Sequence, residues 1–241
     1  MQKPILRWCI GDVSELGIYC LKLSIKNMLR LYKDKFDYYI CYNTISASKL
    51  QWTQQSEIQI CLIDQREFIK ELEISPKSSN PCWKLYPPRI DIDRHEIFVD
   101  NDLILYNSMP ILNEFLQLND LIFCTEALAK NYGAFNSLIN YPWNLNTGFF
   151  GIPPKFDFKG KINSVLNSNI IEKWQDHLDE QGLVSYVFIN NICRLNIIKL
   201  TDIYICYGQT AYKMGIYGQH FVGINRGHSK HWINFLKNRM I

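Results

Sequence analysis

The order of apolar segments at the start of the chain restricts the fold most. Ile5 to Ile10 is a short apolar run that stops at Gly11-Asp12, the pattern of a buried strand. From Glu15 to Tyr32, the residues Leu16, Tyr19, Cys20, Leu23, Met28 and Leu31 recur at mostly helical spacing. Lys22, Lys26 and Arg30 lie between them, and Ser14 stands where a helix cap belongs. Asp37 to Tyr42 and Glu57 to Ile63 read as the next two strands. Strand, helix, strand, helix or loop, strand is the signature of a parallel or mostly parallel sheet covered by helices. With 241 residues, 47% of them hydrophobic, the chain has the apolar surface for one large α/β core.

Further along, Ser75 to Pro81 is polar and breaker-rich and reads as a surface loop. Glu96-Ile97-Phe98-Val99 is a compact strand running into Asp100-Asn101-Asp102, and Leu103 to Tyr106 is apolar again. Pro110 to Gln117 reads as a short helix, Leu121 to Cys124 as a strand, and Asn146 to Ile152 as a glycine-containing apolar stretch. Ile162 to His177 and Gly182 to Ile192 look helical, and Lys199 to Tyr207 reads as a late strand. Gln219 to Trp232 is polar, aromatic and rich in histidine, and no internal repeat is visible.

Composition excludes several classes. Charged residues at 20% are too few for a disordered chain. A balance of 26 basic against 23 acidic residues, net +3, gives no charge argument for a nucleic-acid partner, and none is expected. The N-terminus lacks the basic-then-apolar layout of a signal peptide, and no run is long and apolar enough to cross a bilayer. A soluble, cytoplasmic protein is therefore expected. None of the eight cysteines pair as C-x-x-C, and most sit in apolar runs, so core thiols are favoured over a zinc site or disulfides.

Asp100-Asn101-Asp102 carries the most chemistry. It ends an apolar strand, where open α/β sheets place their ligands. Alternate residues of an extended chain point the same way, with Cα atoms roughly 6.6 Å apart. Asp100 and Asp102 can therefore aim two carboxylates at one divalent cation while Asn101 faces elsewhere. Hard oxygen ligands suit Mg²⁺ or Mn²⁺, which shares its sphere with substrate phosphates. The competing reading is an ordinary turn rich in Asp and Asn. Apolar runs on both sides weigh against it, because unpaired charge inside a core segment is expensive.

On these residues the sequence resembles a nucleotide-sugar-dependent glycosyltransferase of the GT-A fold, nearest to the glycogenin-like and galactosyltransferase-like family eight. Ile97 to Ile104 looks like that family's strand and Asp-x-Asp metal motif. Asn146-Thr147-Gly148-Phe149-Phe150 looks like the Asn-x-Gly segment lining the donor or acceptor pocket. Asp179-Glu180-Gln181 looks like the acidic/amide motif opening a later helix. His220-Phe221-Val222-Gly223, with Lys230 and Trp232 downstream, looks like the C-terminal His-Phe-x-Gly motif.

The resemblance implies one GT-A domain over residues 1–241. A nucleotide-sugar half of about 1–106 ends in the metal motif, and an acceptor half follows over about 107–241. It implies Mn²⁺ (or Mg²⁺) held by Asp100, Asp102 and His220, which assists departure of a nucleoside diphosphate, by resemblance UDP. His228, in the extra Arg226-Gly227-His228, is a rival third ligand, and His220 also reads as a buried neighbour of Phe221. Lys84, Arg89 and Lys230 are candidate contacts to the donor, with solvated surface charge as the alternative. Asp12 is either a base or ribose contact or, with Ser14, part of the helix cap. Gly148 is a candidate point of close backbone approach to the sugar, with a bulge in a strand as the alternative, and Gly223 is a candidate donor contact by its place in the motif.

Asp179 and Glu180 are candidate acids near the acceptor, with Gln181 a polar contact on the sugar face. One acid would act as general base if the enzyme inverts the anomeric centre. A retaining enzyme needs none, and the alternative for the acids is the charged start of a helix. One or two of Tyr141, Trp143, Phe149, Phe150, Phe221 and Trp232 could line an acceptor groove, although aromatics are usually core. The acceptor class stays open among glycan, lipid-linked sugar, protein and small metabolite. Trp232 to Arg239 reads as a docking helix or a weak membrane-surface contact. The competing functions are a nucleotidyltransferase, for which Gly11 to Gly17 has too few glycines and no lysine, and a non-catalytic nucleotide-sugar-binding protein.

Overall fold

The computed structural model describes residues 2–43, 45, 47–55, 57–66, 84–129, 131–168, 170–171, 178–191, 194–207 and 214–222. The loop at 75–81, Gly223, His228, Lys230 and the segment 232–239 lie outside these residues.

Seven strands form the main sheet: β1 (Ile5–Ile10), β2 (Asp37–Tyr42), β3 (Ile60–Asp64), β4 (Glu96–Asp100), β6 (Leu121–Thr125), β7 (Leu145–Ile152) and β8 (Leu195–Ile198). Their spatial order is β3-β2-β1-β4-β7-β6-β8. β7 runs antiparallel to both its neighbours, β4 and β6, and every other pairing is parallel. The mostly parallel sheet expected from the sequence is thus present. β1 is buried at all six positions, which is why it reads as an unbroken apolar run. A smaller sheet, in the order β5-β10-β9, is built from β5 (Leu103–Leu105), β9 (Ile203–Ile205) and β10 (Gly218–His220).

Strand alternation divides the core into two layers. Ile97, Val99, Ile122 and Cys124 point to one face, where α1 (Glu15–Tyr32) packs through Ile18, Leu21, Ile25, Met28 and Tyr32, and α2 (Pro110–Phe115) through Leu112 and Phe115. Phe98, Leu121 and Phe123 point to the other, against α3 (Phe158–Asn167) and α4 (Asp179–Asn190). There Phe98 stacks on Phe150 at 4.2 Å, and Phe188 stands edge-on to Phe150 at 5.6 Å. Among the described residues, Cys9, Cys20, Cys41, Cys124 and Cys206 are buried free thiols, as their apolar settings suggested.

Several boundaries differ from the sequence reading; the helix expected over 182–192, for one, runs from Asp179 to Asn190. The helix expected over 162–177 begins at Phe158, because Asp157 caps it by accepting from Gly160 N at 2.9 Å, and it ends at Asn167. Of the strand expected over 199–207 only β9, Ile203–Ile205, is present, and β8 lies just before that span. Between them Asp202 closes a turn, its Oδ2 accepting from Lys199 N at 3.0 Å. The third strand begins at Ile60 rather than Glu57.

Candidate active site

The site lies at the edge of the main sheet where β1, β4 and β6 end and β7 begins. Asp100 is the last residue of β4, and Asn101-Asp102 turns the chain into β5. Asn101 points away, its Nδ2 donating to the carbonyl of Gly17 on α1 at 3.3 Å. β10 runs antiparallel to β5, with His220 opposite Leu103, and Phe221 N donates to Asp102 O at 3.0 Å. This ladder carries a histidine from near the end of the described chain onto the carboxylate turn. His220 Nε2 lies 3.2 Å from Asp102 Oδ1 and 3.5 Å from Asp100 Oδ2. One ligand atom from each of Asp100, Asp102 and His220 falls within 4.8 Å of the others, a spacing that one cation can bridge.

The charges in this cluster are strongly coupled. Burial works to raise the Asp100 carboxyl, but the charge of Lys84 and the His220 imidazole override it and hold it at about 2. Burial works to lower His220, and the two aspartates overcome it and lift it to about 10. His220 Nε2 thus stands between two carboxylates whose charges favour its protonated form. The donor set of two carboxylates and one imidazole suits a divalent cation that accepts mixed oxygen and nitrogen ligands.

Lys84 extends the cluster. Its Nζ lies 3.2 Å from Asp100 Oδ1 and 3.1 Å from Glu180 Oε2; burial works against its charge, and the two acids override that and raise its pKa. Its carbonyl accepts from Cys9 Sγ at 3.2 Å and Arg7 Nη2 at 3.4 Å, which ties the segment to β1. Glu180, 3% exposed at the start of α4, has its pKa raised by burial, which outweighs the pull of Lys84. Thr147 on β7 reaches two residues in the first turn of this helix. Its Oγ1 donates to Glu180 Oε2 at 3.3 Å and its N–H to Gln181 Oε1 at 3.2 Å. Gln181 Nε2 donates to Asn131 O at 2.8 Å, so its amide is held at both ends.

The remaining candidates separate. A Cβ on Gly148 would overlap Cε1 and Nδ1 of His220, so this glycine makes room for the imidazole. Asp12 is exposed just beyond β1, at the same sheet edge, and Ser14 supplies the helix cap by accepting from Gly17 N at 3.3 Å. Asp179 is fully buried and its Oδ1 accepts from Ala134 N at 2.7 Å. It fastens the turn at Gly133 (φ 54°) instead of joining the cluster. Arg89 also stands apart. It binds Glu96 Oε2 at 3.2 Å and the carbonyls of Pro153 and Phe156, at the start of β4, roughly 13 Å along the strand from Asp100.

One buried acid escaped the sequence reading. Glu126 directly follows β6 and is 3% exposed. The signal was the one that marked Asp100: a carboxylate at the end of an apolar strand.

The architecture is that of the GT-A glycosyltransferases. LgtC in complex with donor and acceptor sugar analogues is similar at a TM-score of 0.60 and 12% identity, over 97% of this chain and 95% of that one. Mouse xyloside xylosyltransferase 1 in its apo form is similar at 0.67 and 11%, over 93% of this chain and 99% of that one. The bifunctional glycosyltransferase WbbM is similar at 0.60 and 14%, over 92% of this chain and 46% of that one. No protein-family model and no curated protein matches the sequence.

Proposed function

We propose that the chain is a glycosyltransferase that moves a sugar from a nucleoside diphosphate sugar, by resemblance a UDP-sugar, to a hydroxyl acceptor. Asp100, Asp102 and His220 would hold Mn²⁺ (or Mg²⁺), and this triad is the observation that carries the reading. Bound there, the cation would supply positive charge to the departing diphosphate. The fold supports the same reading.

The chain's own residues take the other roles. Lys84 fixes Asp100 and Glu180 relative to each other and keeps both acids paired. Glu180 has the raised pKa that suits a proton acceptor for the acceptor hydroxyl if the anomeric centre inverts. Gln181, pinned at both ends, offers the sugar a fixed polar face. The donor half, about 1–106, contributes both aspartates, and the acceptor half, about 107–241, contributes the histidine, so the metal site would join the two.

On the acceptor side, Glu126 N donates to Asn144 O at 2.6 Å and continues the β6–β7 ladder past the sheet edge. Leu128 and Trp143 follow on either side of this pair, 49% and 44% exposed, and would offer an acceptor sugar an apolar face.

The test is release of nucleoside diphosphate from a panel of nucleotide sugars with Mn²⁺ present. The protein should turn over at least one of them, and Asp102→Asn should abolish the signal. Full activity in that variant would remove the metal assignment.

A further inference from the structure

We infer that Glu126 is a positioning residue for the metal site, acting through Asn146 and Gly148 on His220. The inference rests on the metal-dependent reading proposed above.

Every acceptor position of Glu126 is occupied. Oε1 accepts from Ala127 N at 2.6 Å, from Leu128 N at 3.1 Å and from the Tyr207 hydroxyl. Oε2 accepts from Asn146 Nδ2 at 2.8 Å and from Asn131 Nδ2 at 3.3 Å. Five donors converge on a group with about four lone-pair sites, which leaves no place for a substrate hydroxyl. The carboxylate is an anchor, and what it anchors matters for the site.

Asn146 is oriented by this contact. With its amide nitrogen on Glu126, its Oδ1 faces the other way and accepts from Gly148 N at 2.8 Å. That bond fixes the backbone of Gly148, against which the His220 ring packs so closely that no Cβ fits between them. The order of contacts is therefore carboxylate, amide, glycine backbone, imidazole. Each link depends on a donor meeting an acceptor.

Glu126→Gln breaks the polarity of the first link. With the new amide's oxygen kept on the Ala127–Leu128–Tyr207 side, its NH₂ would face the NH₂ of Asn146. If Asn146 flips to meet it, its own NH₂ faces the N–H of Gly148 and pushes that backbone off His220. Adding Asn146→Asp repairs both ends, because a carboxylate accepts from the amide nitrogen introduced by E126Q and from Gly148 N alike. Asn146→Asp alone places two carboxylates face to face.

The test is Mn²⁺ affinity, read from loss of the free-ion EPR signal, with thermal midpoints recorded for each protein. Both single variants should weaken binding about 10- to 100-fold, the usual cost of disturbing the support of a metal ligand. E126Q/N146D should return close to wild type. A carboxylate serving stability alone would lower the midpoint without moving Mn²⁺ affinity. Wild-type affinity in E126Q, or a double variant no better than the singles, overturns the inference. If E126Q does not fold, Asn146→Ala interrogates the same link, and unchanged affinity there overturns it as well. Failure of the wild-type protein to bind Mn²⁺ would instead remove the metal reading on which all of this rests.

Discussion

The imidazole of His220 fills the space where a side chain on Gly148 would stand. β7 and β10 belong to different sheets, and this contact is where they meet at the candidate metal site. A methyl group at residue 148 must move the ring, since the glycine backbone is held by Asn146. Gly148→Ala is therefore expected to weaken Mn²⁺ binding by about tenfold or more. Overpacking of this kind costs about 1–3 kcal/mol, so the fold should survive it. Mn²⁺ titration beside circular dichroism checks both halves, and a folded variant with unchanged affinity would show that the glycine has no part in placing the histidine.

Lys84 is the shared partner of two acids, and its removal isolates them. Lys84→Met keeps most of the stem volume and deletes the charge. Glu180 then has no cation at hydrogen-bonding distance among the described residues, and a buried charge left so costs about 3 kcal/mol. Glu180→Gln in the same background removes the orphaned charge and should recover more than half of that loss. Urea unfolding in metal-free buffer measures both variants. Equal stability of K84M and K84M/E180Q would mean that the acid was not the source of the cost.

What the sequence made legible was whatever depends on neighbours in the chain. β1 and α1 declared themselves through an unbroken buried run and a serine cap. Asp100 and Asp102 stood out because charge follows a buried strand directly. The histidine of the candidate cluster was reachable only through family resemblance, since nothing local to His220 says that β10 will pair with β5. Lys84 was undecidable for the same reason. Its burial depends on Arg7 and Cys9 holding its carbonyl from 75 or more residues away. Arg89 was no more decidable, for its partner Glu96 sits at the far end of the strand that bears the aspartates. Glu126 closes an apolar strand as Asp100 does, but it lacks the second acid two residues on that made Asp100 conspicuous.

The same sheet contains a pH-sensitive element remote from the site. His95 precedes β4, meets Phe115 edge-on at 4.9 Å and donates from Nε2 to Leu118 O at 2.9 Å. Burial lowers its pKa below the ordinary 6.5, the Leu118 bond opposes that, and the charge of Arg89 adds to it. Below about pH 6.5 the unfolded chain takes up a proton that the folded chain resists, so stability falls as pH drops toward the folded value and is level above 6.5. His95→Gln lacks this titration. The stability advantage of wild type over H95Q should therefore shrink between about pH 7.5 and pH 5, read from urea midpoints. A constant or growing advantage would contradict the depressed pKa.

The acceptor side makes the last prediction. Trp143 is 44% exposed, yet its backbone is fixed, with its carbonyl accepting from the Tyr132 hydroxyl at 3.4 Å. Tyr132 also accepts from Leu145 N at 2.7 Å, so one buried phenol ties the Trp143 backbone to the first residue of β7. A rigid aromatic face beside the site suits the apolar face of a sugar ring and does little for the nucleotide, whose expected contacts lie around β1 and β4. Trp143→Ala should raise the acceptor KM about fivefold, equivalent to roughly 1 kcal/mol of lost stacking, with the donor KM unmoved. Steady-state kinetics with each substrate varied in turn separates the two. A rise in donor KM alone would place Trp143 on the nucleotide-sugar side, and no change in either would leave it a surface residue.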